Sequence, residues 1–211
     1  HISVGNGLSV AGPLARSPED IEIALDILAS PQEQDSIAWS FKLPKARSNK
    51  IEDLKIAVWP EEEYAEVDSE TSSLISATVE DLKSAGAKVE NATPPFSFRD
   101  SDDVYSKLLN PLMIAGAPQK TLNQIDEIAK TIKDDDMSSM AKTARGASLL
   151  ARDWIVVNAK RQFMRQQWRT FFENYDVILC PVCVLPAMKH DHRPFHERSL
   201  MINGKEREYW D

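Results

Sequence analysis

The chain has 211 residues, enough for one domain with a sizeable core or two small ones. Apolar residues make up 42% and charged residues 27%, a globular composition and not a disordered or fibrous one. The net charge of −8 speaks against nucleic acid as the default partner, and no run approaches the ~18 apolar residues of a membrane span.

The charge is uneven. Residues 51–103 are rich in Asp and Glu, and residues 138–173 in Lys and Arg. The basic stretch can be read as a nucleic-acid or membrane face, or more simply as a solvated helix face. Two cysteines are too few for a disulfide framework and point to a reducing, cytoplasmic setting.

In chain order, the first element is a helix over 17–29. Ser17 is suited to the N-cap and Pro18 to the first helical position. Glu19 and Asp20 place negative charge on the positive end of the dipole. Ile21, Ala24, Leu25 and Leu28 supply the apolar stripe. Residues 30–53 are polar, contain Pro31 and Pro44, and read as a surface connection.

LKIAVWP, residues 54–60, is a short apolar run ended by Pro, the pattern of a buried strand. Asp68 can cap the following helix, Leu74, Ile75, Val79 and Leu82 give it an apolar face, and Gly86 suits its C-terminal cap. AKVE at 87–90 returns as a strand, so residues 54–90 form a parallel βαβ unit. Residues 101–110 read as a helix that Asn110-Pro111 ends, with another starting there, and 118–136 as a weaker helix. Ser138 or Ser139 caps one long helix from about 138 to 173, with Leu150, Trp154, Val157, Met164, Trp168 and Phe171 along one side. YDVILCP, residues 175–181, is a further strand, and Asn203-Gly204 favours a two-residue hairpin turn within 200–208. The expected fold class is α/β: part of a mixed β-sheet covered by helices, in a single domain over 1–211.

Local motifs for chemistry are incomplete. The loop EEEYAE after the first strand has no glycines to bring backbone N–H groups to phosphate, and its carboxylates would repel it. It can be read as a cation site or as an exposed acidic loop, the second being the simpler. GLSVAG at 7–12 misses the nucleophile elbow G-x-S-x-G by one residue, because Ala11 stands where the second Gly belongs, so Ser9 lacks that context. SSMAK at 138–142 sets Ser139 and Lys142 on neighbouring helical turns, where an amine can activate a hydroxyl, but serine capping explains it as well. Cys180, Cys183, His190 and His192 have the ligand types of a tetrahedral zinc site, although a strand would send alternate side chains to opposite faces. The second reading of these residues is buried thiols acting as small hydrophobes, and the alternative function is a non-catalytic metal-binding or interaction domain.

GPLARSPEDIEIALDIL at 12–28 resembles the segment that follows the catalytic core in amidase signature family hydrolases, where G-P-(L/M)-(A/T)-R-(S/T)-x-x-D leads into a helix. LKIAVWPEEEYAEVDSE with its helix and GAKVE, then YDVILCPVCVLPA, then LMINGKEREYWD agree in the family's order. The resemblance implies an enzyme that cleaves carboxylic amides with a Ser–cis-Ser–Lys triad, on small-molecule amides and without cofactor or metal. It also implies that the Gly- and Ser-rich signature and the lysine precede His1 and that a final sheet segment follows Asp211. The chain is thus expected to be an internal piece, inactive alone, whose exposed sheet edges favour a homodimer. No catalytic residue carries over. By position, Cys180, Pro181, Val182 and Cys183, with Tyr105, Leu109 and Met113, are expected to line or cover the substrate cavity, ordinary core packing being the other reading. Arg16 and Asp20 match motif positions and read as structural.

Overall fold

The computed structural model describes residues 7–209 apart from 9, 11, 32, 60, 134, 137, 195 and 196, so Ser9, Ala11 and His196 lie outside the described residues. The chain divides into two compact units, residues 1–49 and 50–211.

In the first unit, helix α1 spans Pro18–Leu28. The Ser17 side chain accepts from the Asp20 N–H at 3.1 Å, which satisfies one donor that the first turn leaves without a carbonyl. None of its residues is buried.

The second unit is built on β1 (Lys55–Val58), the middle strand of a parallel three-stranded sheet ordered β2-β1-β3, with β2 at Lys88–Asn91 and β3 at Val177–Leu179. Ile56 pairs with Val89 on one side and Val177 on the other. A central strand has neighbours at both edges and packing on both faces. Ile56, Ala57 and Val58 are accordingly all buried, and the apolar run shows no alternation. Helix α2 (Ser69–Ser84) makes the β1-to-β2 crossover, capped by Asp68 and ended at Gly86, whose φ of 94° suits glycine.

Helix α3 spans Phe98–Ile114 without a break at Asn110-Pro111. Pro111 lacks an N–H and leaves the turn behind it one bond short. Tertiary packing outweighs that cost: Val104 and Leu108 are buried, and Trp154 Nε1 donates to the Leu108 carbonyl at 3.4 Å. A Ser97–Asp100 capping box starts the helix. Helix α4 follows at Gln119–Thr131.

The single helix expected over 138–173 is two, α5 (Ser139–Ala147) and α6 (Ala151–Phe171). The reason lies at Gly146. A Cβ there would stand 2.8 Å from the Ser106 carbonyl and 2.9 Å from the Asn110 side chain, so α5 approaches the α3 backbone as closely as glycine permits. The chain turns away directly after that contact. Ser138 is the cap, accepting from the Ala141 N–H at 3.3 Å. On α6, Val157 and Phe171 are buried, while Leu150 ahead of it is largely exposed. Trp168 joins an aromatic cluster with Trp59, Phe96, Phe171 and Phe172.

The antiparallel hairpin β4 (Ser199–Ile202) and β5 (Lys205–Glu208) is a separate two-stranded sheet. Asn203 and Gly204, with φ of 50° and 79°, form its turn, the arrangement that twists with the strands. Asn203 also docks the turn: its Oδ1 accepts from the Ser69 N–H at 2.9 Å, and its Nδ2 donates to the Val67 carbonyl at 3.0 Å.

Candidate functional site

Four segments of the second unit enclose a cavity of about 570 Å³. The loop after β3 gives the largest share, from Pro181 to Met188. Ala65 and Val67 come from the loop between β1 and α2, Phe98 from the start of α3, and Leu200 and Tyr209 from the hairpin. Backbone bonds set these walls. The Trp59 N–H donates to the Leu179 carbonyl at 2.9 Å, and the Asp68 N–H donates to the Val184 carbonyl at 2.7 Å, so the loop is fastened before and within its bend. The described lining is almost wholly apolar, suited to a hydrocarbon or aromatic group and offering no cluster of reactive side chains.

Pro181, Val182 and Cys183 are in this lining. Cys180 precedes the bend and is half-buried, and burial pushes its thiol above the ordinary cysteine range. Tyr105, Leu109 and Met113 lie on α3 outside the lining; Tyr105 and Met113 are 47% and 72% exposed. Cavity walls that sequence reading missed are of two kinds. Val184, Leu185 and Met188 continue the apolar run already noted at 180–183, so the length of that run was a usable clue. Val67, Phe98 and Leu200 reach the cavity through tertiary folding, and no local pattern marks them.

The acidic loop is less solvated than its composition suggests. Glu62 Oε1 accepts from Trp59 Nε1 at 3.0 Å and its Oε2 from the Phe98 N–H at 3.1 Å. Glu61 accepts from the Ser72 hydroxyl at 2.9 Å, and Glu66 from Asn203 and Lys205 at 3.1 and 3.3 Å. The hydrogen bonds from Asn203 and Lys205 hold the Glu66 carboxyl below its ordinary range. Three of the four carboxylates thus have protein donors as partners.

Beside the cavity wall, Asp102 on α3 gathers three donors. Lys142 Nζ lies 3.0 Å from its Oδ2, the Ser106 hydroxyl 3.1 Å from its Oδ1, and the Tyr64 hydroxyl also donates to Oδ2. Burial pushes the Asp102 carboxyl up, but the bonds from Tyr64 and Lys142 and the ammonium charge outweigh it and hold the group below the ordinary aspartate range. Burial pushes Lys142 down, and the bond and charge of Asp102 more than reverse that. Tyr64 is raised by burial and by its bond to Asp102. Lys142 is therefore a charged partner of Asp102 and not a base for Ser139, whose buried hydroxyl has no hydrogen-bond partner. The S-x-x-K spacing forms no reactive pair.

Among the described residues, no group of three or more His, Cys, Asp or Glu side chains is placed to hold a metal ion. His190 and His192 have ring centroids 6.2 Å apart, and the cysteines do not join them. Among the described residues, no helix is long and apolar enough to cross a membrane.

Residues 2–205 match the Amidase family. The chain belongs to the amidase family. The four segments that suggested this in the sequence are spread along that match. Among similar proteins, the indoleacetamide hydrolase of Bradyrhizobium japonicum is 24% identical over 85% of this chain and 37% of its own length. A glutamyl-tRNA(Gln) amidotransferase subunit from Gloeothece citriformis is 26% identical over 96% of this chain and 46% of its own length. The chain thus spans less than half of these relatives. A solved structure of a fatty acid amide hydrolase superposes with a TM-score of 0.60 at 23% identity, covering 84% of this chain and 31% of that one, which shows a shared α/β fold. Within this amidase-family fold, the cavity adjoins the C-terminal ends of β1 and β3, the side of a parallel sheet where ligands commonly bind.

Proposed function

We propose that this chain supplies scaffold and one wall of the substrate pocket to a cytoplasmic enzyme hydrolysing carboxylic amides to acid and ammonia or amine. The observation that carries the reading is the apolar cavity built by the loop after β3, in a chain matched to the Amidase family over residues 2–205. The relatives' names, an indoleacetamide hydrolase and a glutamyl-tRNA(Gln) amidotransferase, support amide chemistry on small or carrier-bound amides. Pro181, Val182 and Cys183 would contact the apolar part of the substrate, while Tyr105, Leu109 and Met113 would cover it only from outside the present lining.

Hydrolysis needs an activated nucleophile and a preorganised oxyanion site. None of the described clusters offers that pair, so the 211-residue chain is proposed to be inactive alone and to form part of a larger amidase-like domain. The test has two readouts on this polypeptide. A panel of simple carboxylic amides is expected to show no turnover, and apolar amides are expected to slow modification of the Cys183 thiol by a disulfide reagent. Turnover that follows the protein through purification would refute the inactivity. Unchanged Cys183 reactivity at saturating amide would refute the pocket assignment.

A further inference from the structure

Glu62 makes two hydrogen bonds that meet at one wall of the cavity. Phe98 opens α3, so its N–H belongs to the turn that has no carbonyl partners within the helix. Glu62 Oε2 takes that N–H, and Oε1 takes the indole N–H of Trp59. A carboxylate at this place also faces the positive end of the α3 dipole. The two bonds set the Phe98 ring flat against the Trp59 indole, with centroids 4.0 Å apart and planes 8° from parallel. Trp59 is a fixed platform: it is buried, and Phe96 and Trp168 pack on it at 6.3 and 5.8 Å. Phe98 is half-buried and lines the cavity. Ala65 and Val67, on the same loop as Glu62, line it as well.

We propose that Glu62 is a positioning residue for ligand selection: by clasping Trp59 and the start of α3 it holds Phe98 as a wall that limits the length of the apolar group the cavity admits. This rests on the reading that the cavity receives the apolar part of an amide. Without the carboxylate, two N–H groups lose their acceptor and the Phe98 ring is no longer confined to the stack. The wall then yields, and longer chains enter. Each methylene admitted is worth about a fourfold gain in affinity, until the wall is reached.

The experiment uses the full 211-residue chain carrying Cys180→Ser, so that Cys183 is its one thiol. The rate of Cys183 modification is measured against two graded series, n-alkyl carboxamides and n-alkanols. In the Cys180→Ser parent, protection is expected to rise about fourfold per methylene and then stop at a cut-off length. Glu62→Ala and Phe98→Ala should both move the cut-off to longer chains. Glu62→Gln keeps one oxygen acceptor and should fall between. Adding Glu62→Ala to Phe98→Ala should change nothing further, because Glu62 acts through that ring. Should Glu62→Ala fail to fold, Glu62→Gln and Phe98→Leu carry the same comparison. A cut-off unmoved in the Glu62 variants but moved in Phe98→Ala overturns the proposal and leaves the amide reading standing. Protection by alkanols but not by amides removes the amide reading while the cut-off shift still upholds the role of Glu62. Absence of protection by either series overturns both.

Discussion

Replacing Asp102 by Ala removes the acceptor shared by Tyr64, Ser106 and Lys142, and the loss can be sized from its surroundings. The Asp102 side chain is 31% exposed and that of Lys142 16%, so the pair is neither a surface ion pair nor a fully buried one. Exposed pairs contribute about 0–1 kcal/mol, and breaking a buried pair from one side costs about 3–5 kcal/mol. Alanine recovers about 0.5 kcal/mol through its helix propensity within α3. The expected net loss is about 2 kcal/mol, a fall in melting temperature of about 4–8 °C for a unit of this size. Lys142→Met leaves Asp102 with the Tyr64 and Ser106 donors and should cost about 1 kcal/mol. The double variant should lose less than the sum. The sign with pH follows from the two partners. The folded Asp102 carboxyl is depressed, so its contribution is present above the ordinary value near ~4 and is lost as pH falls through the folded value. The folded Lys142 and Tyr64 groups are raised, so their contribution is present below about 10 and is lost as pH rises through their folded values. Urea unfolding at several pH values measures all of this. A loss under ~0.5 kcal/mol at neutral pH, or strict additivity in the double variant, would refute the reasoning.

Gly146→Val should destabilise by about 2 kcal/mol or more, because its side chain meets the α3 backbone at Ser106; an unfolding midpoint within ~0.5 kcal/mol of the parent would show that α5 does not approach so closely. Gly204→Val has open space around its Cβ but an unfavourable φ of 79°, so a loss of about 1–2 kcal/mol is expected with Gly204→Asn milder; equal effects of Val and Asn would argue against the hairpin turn. Both outer strands of the three-stranded sheet, β2 and β3, have one unpaired edge among the described residues, so light scattering at high concentration should detect self-association; a strictly monomeric chain would count against pairing through those edges.

Much of this protein is written locally. The Ser17 and Asp68 caps, the Gly86 stop, the Asn203-Gly204 turn and the unalternating run at 56–59 each encode their element through a backbone group satisfied nearby or a φ that few residues accept. Those constraints act within a few residues, so a linear reading captures them, and four such segments in order sufficed to indicate the amidase family. Tertiary contacts decided the rest. Pro111 would end a helix in isolation, yet Val104 and Leu108 anchor α3 through it. The 3–4 spacing from 138 to 173 fits one helix, yet the approach of Gly146 to Ser106 makes two. The acidic loop reads as solvated because charge alone is visible in one dimension; that Glu62 faces two N–H groups depends on where β1 and α3 meet. The cavity likewise joins residues from 65 to 209. Its shape follows from packing between distant segments, which the order of residues along a chain does not display.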